Sequence, residues 1–209
     1  MTDVEARLER LENELSVLRD REAIRDVLYR YCRAVDRADT ALLKDCYWPD
    51  GFDDHGFFGG NAMEFCDYIT PLLRETTATT HAMSNPIIDL DGDTARVESQ
   101  VDVLHRLQSE SGDLIYEWIQ CRYLDEFAKR EGEWRILSRA VVTDGIFWSK
   151  MAAVITADRG LPLGDPTLLR GDRHPNDPVY RHVAGETVTR EREALSDFWS
   201  GLDAVGKRL

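Results

Sequence analysis

The chain has 209 residues, 43% hydrophobic and 31% charged, the composition of a folded domain with additions rather than of a disordered segment. Its 39 acidic and 26 basic residues leave a formal net charge of -13, which argues against sequence-independent binding to nucleic acid or an anionic membrane. No run approaches the ~18 apolar residues of a membrane-spanning helix. The opening MTDVEARLER is polar and acidic, unlike a secretory signal, so a cytoplasmic protein is expected.

Val4, Leu8, Leu11, Leu15 and Leu18 alternate spacings of four and three with Glu and Arg between them, a heptad seam of about two repeats. It suits packing on the chain's own body or on a neighbouring subunit, and residues 1–20 are read as an N-terminal helix. A second helix is predicted from about Arg21 to Val35, where Leu28, Tyr31, Cys32 and Val35 form an apolar face. Asp36 follows that face directly, a carboxylate where carbon is expected. Asp39 caps a third helix, a short strand falls around Phe52 to His55, and Asn61 caps a helix that Pro71 disturbs near its end. Beyond residue 75 the pattern changes to long strands, two joined at Asp91-Gly92 and two more joined by REGE. Helices followed by an antiparallel meander give an α+β layout, helices on one curved sheet, over 21–150. Residues 151–209 loosen into a Pro-, Gly- and Asp-rich tract with His174 and His182, then a closing helix from Thr187, and read as a lid or an oligomer arm. Cys32, Cys46, Cys66 and Cys121 form no CxxC pair and are expected as free thiols.

His81 stands in TTATTHAMSN at the start of the first long strand, where alternate residues enter the concave interior. Asp36 is its natural partner. An aspartate on one imidazole nitrogen fixes the tautomer and leaves the other nitrogen as a base. Spacing alone does not join the two residues.

The order AIRDVLYRYCRAVDRAD, TTHAMSN and GEWRILSRAVV resembles the SnoaL-like branch of the nuclear-transport-factor-2-like superfamily. More specifically, it is similar to the group of scytalone dehydratase, hexachlorocyclohexane dehydrochlorinase and bile acid dehydratase. The resemblance runs over roughly residues 20 to 150. It implies a cone of helices around a curved antiparallel sheet with a deep apolar cavity. It also implies a catalytic Asp–His dyad at Asp36 and His81, and eliminations that use no metal or organic cofactor. Tyr31 matches a tyrosine that contacts the substrate oxygen, with a core aromatic as the plainer reading. Arg139 matches an active-site arginine; an inward arginine needs a counter-charge or a substrate anion. His105 corresponds to a second histidine that holds a water or a substrate oxygen. The group's minimal domain ends soon after the last strand, whereas about sixty residues follow here, so substrate range does not carry over.

Tyr47, Trp48, Phe52, Trp118 and Phe147 are aromatic residues expected beside such a cavity, and they suit a flat aromatic or polycyclic substrate. Asp53, His55, His81 and His105 offer a metal-site alternative, though no local HxH, HxxxH or HxD pair anchors it. The expected protein is therefore a cofactor-independent, dehydratase-like lyase acting on a small hydrophobic molecule. It is expected as a homo-oligomer, trimer or dimer, after the habit of related enzymes. The alternative is a non-catalytic ligand-binding or structural subunit resembling the small subunit of aromatic-ring dioxygenases.

Overall fold

The computed structural model describes residues 3–150, 169 and 171–188. The chain divides into two units, Met1–Ser149 and Lys150–Leu209.

In the first unit one helix, α1 (Asp3–Arg37), replaces the two expected. Nothing in LRDREA breaks a helix, so the arm and the apolar segment run on as one rod through the boundary expected at residue 20. Its first half is exposed; from Ile24 to Asp36 one face is buried. The helix ends in a Schellman turn. Ala38 takes φ 51°, its N–H donates to the Val35 carbonyl at 3.2 Å, and the Asp39 N–H donates to Ala34 at 2.9 Å. Asp39 then caps α2 (Thr40–Asp45) through Leu42 N–H, and Asn61 caps α3 (Ala62–Glu75), both as expected.

The six strands are β1 (Tyr47–Asp54), β2 (Gly59–Asn61), β3 (Ala78–Asp91), β4 (Thr94–Gln108), β5 (Leu114–Arg130) and β6 (Glu133–Lys150). They form one curved sheet in the order β2-β1-β6-β5-β4-β3. β1 lies parallel to β6, a pairing the sequence pattern did not reveal. The expected hairpins are present. The Glu131-Gly132 turn has φ 54° and 86°, the two positive values of a type I′ turn. In β1 the register against β6 shifts between Tyr47 and Phe52. Gly51 lies there, where a Cβ would meet the Trp48 carbonyl at 2.8 Å and that of Leu137 at 3.2 Å.

The core fills the space between α1, α3 and the concave face of the sheet. That face carries Val97, Val101 and Val103 of β4, Tyr123 and Phe127 of β5, and Ile136 of β6. All four cysteines are free and buried; burial pushes Cys32, Cys46 and Cys66 up to about 12 and Cys121 to about 11. Among the described residues no helix is long and apolar enough to cross a membrane.

In the second unit a short helix, α4 (Pro178–Val183), is capped by Asp177. His174 lies in the turn before it and His182 within it. The closing helix expected from Thr187 falls almost entirely outside the described residues.

Candidate active site

Asp36 occupies the last turn of α1, where the helix dipole disfavours a carboxylate by about 0.3–1 kcal/mol. A buried partner offsets this. Its Oδ1 lies 2.7 Å from His81 Nδ1, and its Oδ2 accepts the His81 main-chain N–H at 3.0 Å. A carboxylate only accepts, so in the neutral ring Nδ1 carries the proton and Nε2 keeps its lone pair. Nε2 makes no hydrogen bond to a described residue. Strand parity puts Thr79, His81 and Met83 on the inner face of β3.

His105 sits two residues beyond Val103, the cross-strand partner of His81, and so is a diagonal neighbour on the same face. The two rings are 6.1 Å apart. His105 Nδ1 is held at 2.8 Å by Glu117, its own cross-strand partner, while Nε2 is buried with no partner. Burial lowers the His105 pKa; Glu117 opposes that shift. Asp36, His81, His105 and Glu117 thus form one polar group.

A second polar group lies deeper. Arg139 is fully buried and held bidentately by Asp125, Nε to Oδ1 at 2.6 Å and Nη2 to Oδ2 at 2.7 Å. Its guanidinium lies 4.0 Å from the ring centres of both Tyr31 and Tyr123, and its Nη1 has no partner. Burial opposes the charge of Arg139, but Asp125, Tyr47 and Tyr31 together outweigh it and the pKa is raised. The counter-charge that an inward arginine requires is thus supplied by the protein. The Tyr31 hydroxyl is 3.5 Å from His55 Nε2, and His55 Nδ1 meets the Asp53 carboxylate, which also accepts the Tyr47 hydroxyl at 2.5 Å. Burial, only partly opposed by Arg139, raises the Tyr31 pKa, so Tyr31 stays a neutral phenol able to donate.

Tyr31, Tyr47 and Arg139 are therefore brought together, but as packed side chains at the centre of the fold. The other aromatic residues diverge. Trp48 donates to the Ala128 carbonyl at 2.9 Å and carries Arg130 and Arg135 against its ring. Phe52 alternates with the buried Asp53 and is exposed. Trp118 shares the strand parity of Arg122 and Leu124, opposite Tyr123, and pairs with Phe147; both are exposed. Strand alternation turns Phe52 and Trp118 away from the interior where proximity in sequence had suggested them. Asp53, His55, Asp125 and Glu117 were not foreseen as partners. The signal for Asp125 was the alternation Cys121, Tyr123, Asp125, Phe127, which sets a carboxylate among inward apolar residues. Among the described residues no group of three or more His, Cys, Asp or Glu side chains is placed to hold a metal ion. Asp53 and His55 pair with each other, whereas His81 and His105 have carboxylates of their own.

A curved sheet wrapped by helices is the nuclear-transport-factor-2-like fold. The SnoaL-like domain profile matches residues 16–140, more than half of the chain, and the chain belongs to that family. Solved structures share the fold. LinA type 2, a hexachlorocyclohexane dehydrochlorinase, is 21% identical, with a TM-score of 0.58 over 68% of this chain and 95% of its own. A scytalone dehydratase-like protein from Novosphingobium aromaticivorans is 21% identical, with a TM-score of 0.56 over 65% and 90%. A cystatin-like-fold protein from Nostoc punctiforme is also 21% identical, with a TM-score of 0.51 over 60% and 91%. No curated protein matches at a significant level.

Proposed function

We propose that the chain is a lyase that eliminates water, or a comparable leaving group, from a small hydrophobic aromatic or polycyclic molecule. Side chains carry every proton transfer. His81 Nε2 takes a proton from carbon, and the electrons of that C–H bond form the new double bond. The bond to the leaving hydroxyl breaks, and the hydroxyl departs as water with the proton that His81 took from carbon. Asp36 orients His81 and stabilises the imidazolium formed in the step. Loss of halide, double-bond isomerisation, or retro-aldol loss of a small aldehyde would use the same base. Arg139, neutralised by Asp125, orders Tyr31 rather than binding a substrate anion. His105 Nε2 is the free polar atom beside the base and would hold a substrate oxygen.

The observation that carries this reading is the two-point hold of Asp36 on His81, which leaves one ring nitrogen open on the inner face. The dehydrochlorinase and dehydratase names among the structural neighbours support the reaction class. A non-catalytic ligand-binding or structural subunit is the second reading, favoured by the close packing of Tyr31 and Tyr123 on Arg139. The test is a panel of hydroxylated aromatic and steroid-like compounds incubated with the wild type and with His81→Ala, the products followed by mass spectrometry. Elimination by the wild type alone, unchanged by EDTA, supports the lyase. Binding without turnover by both supports the subunit.

A further inference from the structure

The first half of α1 stands outside the body of the fold. Every residue from Asp3 to Leu18 except Ala6 is exposed, and the seam residues Val4, Leu8, Leu11, Leu15 and Leu18 show 46% to 74% of their surface. Residues 3–15 precede the stretch matched by the SnoaL-like profile, so most of this arm is an addition to the shared domain. We infer that the arm pairs with the same arm of a second copy as a parallel two-stranded coiled coil.

The register follows from the sequence. Leu8 and Leu15 take a positions; Val4, Leu11 and Leu18 take d positions. The flanking e and g positions are charged throughout, which leaves a seam only as wide as a two-stranded coil needs. In a parallel pair each g residue faces the e residue five positions on in the other copy. Arg7 then meets Glu12 of the second copy, and Glu14 meets Arg19; both pairs are opposite in sign and each occurs twice. Either antiparallel stagger instead sets Glu12 against a glutamate, Glu5 or Glu12 of the second copy. Charge complementarity thus selects both the partner and its direction. Two heptads are too short to nucleate alone, but here the helix is already nucleated by the buried half from Ile24 to Asp36. Association costs no further folding of the backbone.

The test is sedimentation equilibrium of the full-length chain. The wild type is expected as a dimer, and Leu8→Glu/Leu15→Glu as a monomer with unchanged circular dichroism, since neither side chain belongs to the core. Arg7→Glu should weaken the dimer about tenfold, because attractive pairs become repulsive, and Arg7→Glu/Glu12→Arg should restore it. Val4→Cys should cross-link under oxidation, because only a parallel coil brings the two Val4 positions together; an antiparallel one sets Val4 level with Leu15 of the second copy or beyond, about 16 Å or more from its Val4. The native thiols are buried. A wild-type monomer, its seam covered instead by residues 189–209 of its own chain, would overturn the inference. So would a mass unchanged by Leu8→Glu/Leu15→Glu, or a Val4→Cys chain that fails to cross-link.

Discussion

Asp36 holds His81 at two points, one carboxylate oxygen on the ring Nδ1 at 2.7 Å and the other on the main-chain N–H at 3.0 Å. A single hydrogen bond would leave the imidazole free to rotate about it. The second fixes the strand relative to the helix end, so the direction of Nε2 is set by the backbone of both elements. This is the arrangement a general base needs, and a plain structural histidine does not require it.

Arg139 and Asp125 form a pair with no exposure on either side chain. Removing one partner of such a pair leaves an uncompensated buried charge. Asp125→Asn is therefore expected to destabilise the fold by about 3–5 kcal/mol, read as a lower midpoint in urea unfolding. A loss under about 1 kcal/mol would mean that the guanidinium finds another neighbour or that water reaches Nη1.

His105 gives stability a pH dependence of known sign. Its folded pKa lies below the ordinary histidine value, chiefly through burial and also through the nearby His81, while Glu117 and Asp36 oppose the shift. The unfolded chain therefore takes up the proton first as pH falls. The stabilisation is present above about pH 6.5 and is lost as pH drops from there toward the folded value. His105→Asn should show a smaller loss of stability than the wild type between about pH 7 and about pH 5. Denaturant titrations with equal slopes for the two proteins would remove His105 from this role.

The β5–β6 turn holds Glu131 at φ 54°, a conformation that asparagine adopts more readily. Because Glu131 is exposed, little else changes on substitution. Glu131→Asn should stabilise the chain by about 0.5–1 kcal/mol, a rise of a few degrees in Tm. An unchanged or lower Tm would show that the glutamate contributes something the turn geometry does not reveal.

What the sequence disclosed, it disclosed through period and punctuation. The caps at Asp39 and Asn61, the two hairpin turns and the four long strands all rest on local rules, and they are where those rules set them. The parallel pairing of β1 with β6 is non-local, joining residues far apart in sequence, and no local pattern encodes it. The continuity of α1 was hidden because its exposed seam and its buried face are different stripes, as on two separate helices. Asp36 and His81 were paired through a family resemblance, not through spacing. The aromatic residues mark where local rules end. Trp48, Phe52, Trp118 and Phe147 were grouped by chemistry, but strand parity and the bulge at Gly51 decide which way each one faces. Asp53 and His55, weighed as metal ligands, meet each other and Tyr31 instead.

The sharpest test of the Asp36–His81 dyad is the nitrogen-15 spectrum of the neutral form of the His81 imidazole, recorded for the wild type and for Asp36→Asn. It needs no substrate. A protonated Nδ1 and an unprotonated Nε2 are expected in the wild type. Asp36→Asn should lose that single tautomer, because its amide can donate as well as accept. Turnover should fall by about two to four orders of magnitude in the same variant, by analogy with other orienting carboxylates. A wild-type ring protonated at Nε2, or a tautomer unaltered by Asp36→Asn, would refute the dyad, because His81 would then have no lone pair directed by Asp36 with which to act as a base.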